Sequence, residues 1–476
     1  MTIPKKVHLI GIGGTGLSAI ARVLLERGCL VSGSDRLLSP FVQSLQADGV
    51  RVLIGHQAEN ILGSDLVVRS SAIPDDNVEV QAARAAGIPV LKRSEFLAQL
   101  MADQQGIAVA GTHGKTTTTA MIAWMLSTLG LDPSYIIGGV SANLGSNAHA
   151  GQGKYFVIEA DEYDRMFLGL RPDVAVILNI EHDHPDCYPT AEDFYQAFIE
   201  FSRQLSADGK LLVCADDAGG KRLLQEARAR GQQVHSYGIR SAASGPGEAA
   251  PDYQAQNLQV NEFGGMTWDA VCTLPGGFEL SPAASLQVPG EHNVRNALVS
   301  LAVAHQLGLP LEKAAQALAE YKGTGRRFEV RGETNGIVVI DDYGHHPTEI
   351  RATLAAARQR YPGRRLWALW QPHTYSRTRL LADAFAHAFE QADQVIVTEV
   401  YASREAPPSD SYSALRVAEA MPHLGKHFAY GLAEATMLLL EYLLPGDVLL
   451  VFSAGDADQI STHVLDALQN MEEYHA

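Results

Sequence analysis

The stretch Ile107-Ala108-Val109-Ala110-Gly111-Thr112-His113-Gly114-Lys115-Thr116-Thr117 sets an apolar run against a short glycine-rich turn, and a helical pattern, Thr118 to Leu129, follows it. A buried strand that feeds a helix through such a turn is the plan of a phosphate-binding loop. Glycines let backbone N–H groups close around phosphate oxygens. A lysine at position 115 reaches the β- and γ-phosphates, and the Thr116 hydroxyl is placed for Mg²⁺. The helix N-terminus behind the loop adds its own attraction for anions. The loop is shorter than the usual pattern, since Val109 stands where a first glycine is expected. ATP is the expected ligand, and a parallel α/β domain is the expected setting.

Outward toward the N-terminus, the chain alternates short apolar runs with helical patterns. Val7 to Ile10, Leu30 to Ser34, Leu66 to Val68 and Val90-Leu91 read as strands, with helices over Ser18 to Arg27 and Ser94 to Ala102. This is a βαβ series, hence a parallel sheet covered by helices. Gly11-Ile12-Gly13-Gly14-Thr15-Gly16 fits G-x-G-x-x-G after its first strand, and Asp35 ends the second. That fingerprint predicts a diphosphate ligand, with the acid on a ribose hydroxyl. NAD and UDP-sugars satisfy it equally, so an NAD(P)-dependent dehydrogenase stands as one reading of these residues alone.

Toward the C-terminus, Phe156 to Glu159 and Val174 to Asn179 read as strands with polar residues at their ends, where open α/β sheets hold ligands. Glu159-Ala160-Asp161-Glu162-Tyr163-Asp164 offers hard oxygens suited to Mg²⁺. Asn179-Ile180-Glu181-His182-Asp183-His184 is a second polar cluster at such an end. His292-Asn293-Val294-Arg295-Asn296 opens a helix over Asn293 to Leu307, and another runs from Leu311 to Tyr321. Asn amides suit an adenine edge, but helix capping by Asn293 accounts for that residue on its own. Ser241 to Asp252 is rich in Gly, Ser, Pro and Ala and reads as a flexible surface loop.

A third segment, with strands over Ile337 to Asp341, Arg365 to Trp370, Gln394 to Thr398 and Val448 to Phe452, reads as a second Rossmann-like unit. It carries Arg326-Arg327-Phe328, Asp341-Asp342-Tyr343-Gly344-His345-His346-Pro347 and Gln371-Pro372-His373-Thr374-Tyr375-Ser376-Arg377. Adjacent arginines neutralise a transferring phosphoryl group, and the histidines suit a carboxylate. The expected fold is therefore α/β in three domains: a Rossmann-like unit over 1–104, a P-loop-type ATPase-like unit over 105–322 and a Rossmann-like unit over 323–476.

Composition agrees with a soluble enzyme. The 476 residues are 46% hydrophobic and 19% charged, with a net charge of −17 that argues against a nucleic-acid partner. Four scattered cysteines lack metal-site spacing and read as reduced cytoplasmic thiols. Neither a signal peptide nor a membrane span is expected.

The order of these motifs resembles the Mur ligases, the ATP-dependent amide-forming enzymes of peptidoglycan synthesis. Gly-Thr-His-Gly-Lys, Asp-Asp-Tyr-x-His-His-Pro and Gln-Pro-His look most like the alanine-adding branch. The resemblance implies UDP-N-acetylmuramate, L-alanine and ATP as substrates, Mg²⁺ as cofactor, and a monomer or weak homodimer. By this resemblance Gly11, Gly13, Gly14, Thr15, Gly16 and Asp35 hold the UDP-sugar. Gly111, Thr112, His113, Gly114, Lys115, Thr116 and Thr117 hold ATP phosphates, with Asn293, Asn296 and Asp342 on the nucleoside. Thr116, Glu159 and His184 bind metal. Lys115, Glu159, His184, Arg326, Arg327 and His345 are the implied catalytic set. Tyr343, His345 and Arg377 surround the amino acid. Residues 185–209 contain no lysine, which fits the branch without a carbamylated one. The chain departs from the pattern at Thr374, where many alanine-adding members carry arginine, and Glu162-Tyr163-Asp164 is also a feature of murein tripeptide-recycling ligases.

Overall fold

The computed structural model describes residues 3–240, 250–274, 277, 279–403 and 405–475. Most of the expected loop over Ser241 to Asp252 lies outside the described residues; its end leads into a strand at Tyr253.

Three sheets organise the chain. The first holds β1 (Lys6–Ile10), β2 (Leu30–Asp35), β3 (Arg51–Ile54), β4 (Leu66–Arg69) and β5 (Val90–Lys92), all parallel in the order 3-2-1-4-5. Helices α1 (Thr15–Glu26), α2 (Pro40–Ala47), α3 (Val78–Ala85) and α4 (Arg93–Met101) cover it. The order reverses between β1 and β4, so the loops after β1 and β4 flank the crevice where such sheets take ligands, with the end of β2 beside it.

The second sheet has ten strands: β6 (Gln105–Ala110), β7 (Ser134–Ile136), β8 (Ala148–His149), β9 (Tyr155–Glu159), β10 (Val174–Ile177), β11 (Lys210–Cys214), β12 (Val234–Ile239), β13 (Tyr253–Val260), β14 (Met266–Cys272) and β15 (Glu279–Leu286). Its helices are α5 (Lys115–Thr128), α6 (Ala191–Ser202), α7 (Ala218–Ala229), α8 (Glu291–Gln306) and α9 (Leu311–Ala319). β6 lies between β9 and β10, both parallel to it. That placement puts Glu159 and the Asn179–His184 segment on either side of the loop after β6. The sheet is not parallel throughout, because β13, β14 and β15 form an antiparallel end.

The third sheet runs β16-β17-β21-β18-β19-β20, with β16 (Glu329–Thr334) antiparallel to β17 (Ile337–Asp342). β18 (Leu366–Gln371), β19 (Gln394–Thr398), β20 (Lys426–Ala429) and β21 (Val448–Ser453) are parallel to β17. Around it pack α10 (Pro347–Arg360), α11 (Tyr375–Leu380), α12 (Ala382–Ala386), α13 (Leu415–Ala420), α14 (Leu432–Tyr442) and α15 (Gln459–His475). The strands β17, β18 and β21 are buried along their whole length and apolar up to their polar C-terminal ends, as a sheet covered on both faces requires.

The core explains how the domains are joined. One apolar cluster runs from Val7 and Leu9 of the first sheet through Phe96 and Leu97 of α4 to Ala108, Ile158 and Phe198 of the second unit. The third sheet has separate clusters on its two faces, built around Trp370 and Phe389 on one and Trp367 and Leu439 on the other. It therefore meets the second unit through polar groups, and these lie at the site.

Candidate active site

β6 ends at Ala110, and Gly111 (φ +145°) and Gly114 (φ +83°) turn the chain into α5. A Cβ at Gly111 would fall 2.9 Å from the Leu178 side chain, so only glycine passes there. Lys115 is the first residue of α5 and folds back over its own loop. Its Nζ donates to the carbonyls of Gly111 (2.6 Å) and Thr112 (3.2 Å) and pairs with Glu162 at 2.8 Å. Burial alone would lower this ammonium; the Glu162 and Glu159 carboxylates outweigh it and raise it.

The Thr116 hydroxyl donates to Glu159 Oε1 (3.1 Å), and the Gly138 N–H donates to the other oxygen (2.7 Å). Burial lifts the Glu159 carboxyl above its ordinary range, with Lys115 opposing. His184 takes a left-handed backbone (φ +54°), which turns its Nε2 to 3.4 Å from Glu162 Oε1. Its Nδ1 is buried with no hydrogen-bond partner. Hydroxyl, carboxylate and imidazole thus converge beside the lysine.

On the other side of the loop lies a cavity of about 340 Å³. Gly114, Thr117, Asn293, Asn296, Arg327 and Asp342 are among the residues that line it. Asn296 Nδ2 donates to Asn293 Oδ1 (3.2 Å), and Asn293 Nδ2 donates to the Pro289 carbonyl (2.7 Å). Asn293 does not cap its helix. Gly290 (φ +94°) is the N-cap, and the helix begins two residues earlier than Asn293, which places both amides in its first turns along the cavity wall. Asp342 accepts from the N–H groups of Phe328 (2.8 Å) and Gly344 (2.7 Å), and burial pushes its carboxyl up to about 6.

The C-terminal unit closes over this edge. Arg377 Nε donates to Asp183 Oδ1 at 2.8 Å, with both side chains about 95% buried. Glu349 of α10 lies 3.4 Å from His113 Nδ1 and 3.2 Å from Arg327 Nη1. His345 Nε2 is 3.8 Å from Asp183 Oδ2; burial and Arg377 lower this imidazole. The Tyr343 ring lies 5.7 Å from that of His345 and 5.2 Å from the Arg327 guanidinium. Arg326 also lies over the Tyr343 ring (5.0 Å), but it donates to the Ser453 carbonyl (2.7 Å) and is not among the cavity's lining residues, so of the pair Arg327 lines the cavity.

The N-terminal glycine loop lies apart from this cavity. The Gly13 N–H donates to Asp35 Oδ2 (2.8 Å), tying the loop after β1 to the end of β2. A Cβ at Gly16 would fall 1.6 Å from Arg93 Nη1, so the guanidinium rests on the first turn of α1. Arg93 also donates to Asp161 Oδ2 (3.2 Å), linking the start of α1 to the acidic loop. Arg93 and Glu349 carry no motif that marks them, while Glu181 reads in sequence only as one member of the Asn179–His184 cluster and Glu162 as one carboxylate of four.

These sheets and this loop define a three-domain ATP-site architecture, and the family models assign it. The Mur ligase family catalytic domain matches residues 6–105, the Mur ligase middle domain 109–304 and the Mur ligase glutamate ligase domain 326–455. The chain belongs to the Mur ligase family, which sets aside the dehydrogenase reading of Gly11–Gly16. Across 97% of its length it is 44% identical to the UDP-N-acetylmuramate–L-alanine ligase of Roseiflexus sp. (strain RS-1), covering 99% of that protein. It is 45% identical to that of Renibacterium salmoninarum, covering 97% of this chain and 96% of the relative. The crystal structure of UDP-N-acetylmuramate–alanine ligase from Thermotoga maritima superposes with a TM-score of 0.79 at 29% identity, covering 98% of this chain and 99% of that one. A murein peptide ligase from Psychrobacter arcticus gives 0.70 at 26% identity, covering 98% and 99%.

Proposed function

We propose that the protein joins L-alanine to the lactyl carboxylate of UDP-N-acetylmuramate at the expense of ATP, in the cytoplasm, as a step of peptidoglycan precursor synthesis. The observation that carries this reading is the convergence of Lys115, Thr116, Glu159 and His184 at one sheet edge, facing Arg327, His345 and Arg377 of the third unit. The 44% identity to a ligase of that name supports the choice of substrates. We assign residues 1–104 to the UDP-sugar, 105–322 to ATP and 323–476 to the amino-acid side. No helix among the described residues is long and apolar enough to cross a membrane. We take the working form to be a monomer or weak homodimer.

The lactyl carboxylate attacks the γ-phosphate, giving an acyl phosphate and ADP. The amine of L-alanine then attacks the carbonyl, and phosphate leaves. Lys115 would follow the phosphates once it leaves Glu162. Asn293 and Asn296 would read the adenine edge, and Asp342 a ribose hydroxyl. Arg327 would spread charge on the transferring group. His345, Tyr343 and Arg377 would orient L-alanine. The residues present fit Mg²⁺: Thr116 and Glu159 offer hard oxygens 3.1 Å apart, and the buried His184 Nδ1 lacks a partner. Magnesium bound there would neutralise developing phosphoryl charge.

The test is phosphate release from MgATP with UDP-N-acetylmuramate, with and without L-alanine, beside the tripeptide L-alanyl-γ-D-glutamyl-meso-diaminopimelate. Release that needs both the sugar nucleotide and L-alanine is expected. Release with the tripeptide alone would move the protein to the reaction of the murein peptide ligases.

A further inference from the structure

A second group of metal-ligating side chains lies at the seam between the central and C-terminal units. It shares no residue with Thr116, Glu159 and His184. His113 comes from the phosphate loop, Glu181 from the segment after β10 and His346 from the N-cap of α10. One donor atom from each lies within 4.8 Å of the other two. His113 Nε2 is 3.1 Å from Glu181 Oε2, and His346 Nδ1 is 3.8 Å from the same oxygen. The two imidazole rings are 4.7 Å apart. His346 is 2% exposed, and its Nε2 is buried without a hydrogen-bond partner.

The surroundings of His113 and Glu181 match what metal ligands need, while His346 Nδ1 accepts the Thr348 N–H at 3.4 Å, a long bond that a metal on that nitrogen would replace. A ligating histidine holds its orientation by offering its other ring nitrogen to a carboxylate, and a ligating carboxylate is itself hydrogen-bonded. Here Glu349 Oε1 stands 3.4 Å from His113 Nδ1, and the Thr348 hydroxyl donates to Glu181 Oε1 at 2.8 Å. Two imidazoles and one carboxylate suit a borderline cation such as Zn²⁺, whereas Mg²⁺ prefers oxygen and water. His113 and Glu181 line the cavity, so the fourth position faces it.

We propose that His113, Glu181 and His346 bind a transition-metal ion of the Zn²⁺ type, and that loading inhibits turnover by stapling the C-terminal unit shut over the cavity. The phosphate loop, the central sheet edge and the C-terminal unit would then share one ion, opposing the opening that releases product. The inhibition rests on the ATP reading of the cavity; the binding does not.

Co²⁺ is the probe, titrated into the full chain without nucleotide and with Mg²⁺ in excess. The expected result is one equivalent bound with the intense visible bands of four-coordinate cobalt, displaced by Zn²⁺. Affinity falls at least tenfold in His346→Gln and also falls in Thr348→Val, while His184→Gln keeps the bands. Thermal melts of each variant check the fold, and Thr348→Val carries the test if His346→Gln does not fold. Absence of the bands in the wild type overturns the site. So do bands that survive His346→Gln and vanish in His184→Gln, or a folded Thr348→Val that binds Co²⁺ as tightly as wild type. For the inhibition, Zn²⁺ should suppress phosphate release in excess Mg²⁺, with a midpoint raised in a folded His346→Gln, or otherwise in Thr348→Val, by the same factor as its Co²⁺ affinity falls. An unmoved midpoint overturns that half, and MgATP turnover without Zn²⁺ shows separately whether the ligase reading stands.

Discussion

An ammonium has three hydrogens, and all three of Lys115 are engaged, by Gly111, Thr112 and Glu162. Nucleotide phosphates must therefore take the lysine from Glu162, which is itself 1% exposed and faces His184. Two opposite outcomes follow at this scale. Lys115→Ala removes the ammonium placed for the phosphates and is expected to abolish phosphate release, which a stopped-time assay with MgATP and both acceptors would read. Glu162→Gln removes the competing charge while keeping the shape. ATP binding in EDTA should then tighten by roughly tenfold, about 1.4 kcal/mol, because one full negative charge no longer stands beside the phosphates. Calorimetry in EDTA decides it, and weaker binding by the variant would mean that Glu162 positions the lysine rather than competing for it.

Elements are held by similar buried carboxylates. Glu79 near the start of α3 is completely buried and accepts the Ser34 hydroxyl of β2 (2.6 Å) and the Asn60 amide (2.5 Å), with His8 of β1 at 3.6 Å. Burial on its own would raise this carboxyl, but the nearby His8 imidazole and hydrogen bonds from Ser34 and Asn60 bring it down to about 2. A depressed carboxylate contributes stability above its unfolded pKa and loses it as pH falls through the folded one. The contribution, about 3 kcal/mol, is thus complete above about pH 4.5 and gone near pH 2. Wild type should lose stability steeply over that window, and Glu79→Gln should show a shallower acid limb in thermal melts. Equal slopes would remove Glu79 as the cause.

What was legible in the sequence lies at this same scale. Fully buried parallel strands read as apolar runs, so β1, β6, β10, β18 and β21 and the loops after them can be placed from residue types alone. The strand β14 alternates buried and half-buried side chains along Met266–Cys272, the mark of an antiparallel strand, yet such short alternation is easily passed over inside a long α/β pattern. The edge strands β16 and β20 are short and largely uncovered, so they give little apolar signal. Asn293 misleads because Asn is a good cap; the cap fell to Gly290, whose positive φ no local pattern announces. The cross-domain pairings have no local signature: Asp183 and Arg377 each stand in a marked motif but are 194 residues apart, and Glu349 reads as an ordinary first-turn acid of α10.

The C-terminal unit has its own apolar cores and joins the rest through charged groups, whereas the first two units share one core. Polar interdomain contacts permit relative motion, and an apolar seam opposes it. Closure here leans on Asp183–Arg377, the most buried of the cross-domain pairs, with Glu181–Thr348 (2.8 Å) and His113–Glu349 beside it. Removing one partner of a buried pair strands the other charge, a loss of about 3–5 kcal/mol. For a two-unit equilibrium that is enough to reverse a closed preference. Asp183→Asn and Arg377→Gln should each enlarge the radius of gyration in small-angle scattering of the nucleotide-free protein, while the first two units stay docked. The double variant should lose less than the sum of the singles, because no stranded charge remains in it. Substrates should restore the compact profile more readily in the double variant than in Arg377→Gln. Scattering profiles unchanged in both singles, with strictly additive losses in the double, would show that the pair packs inside a seam held by something else.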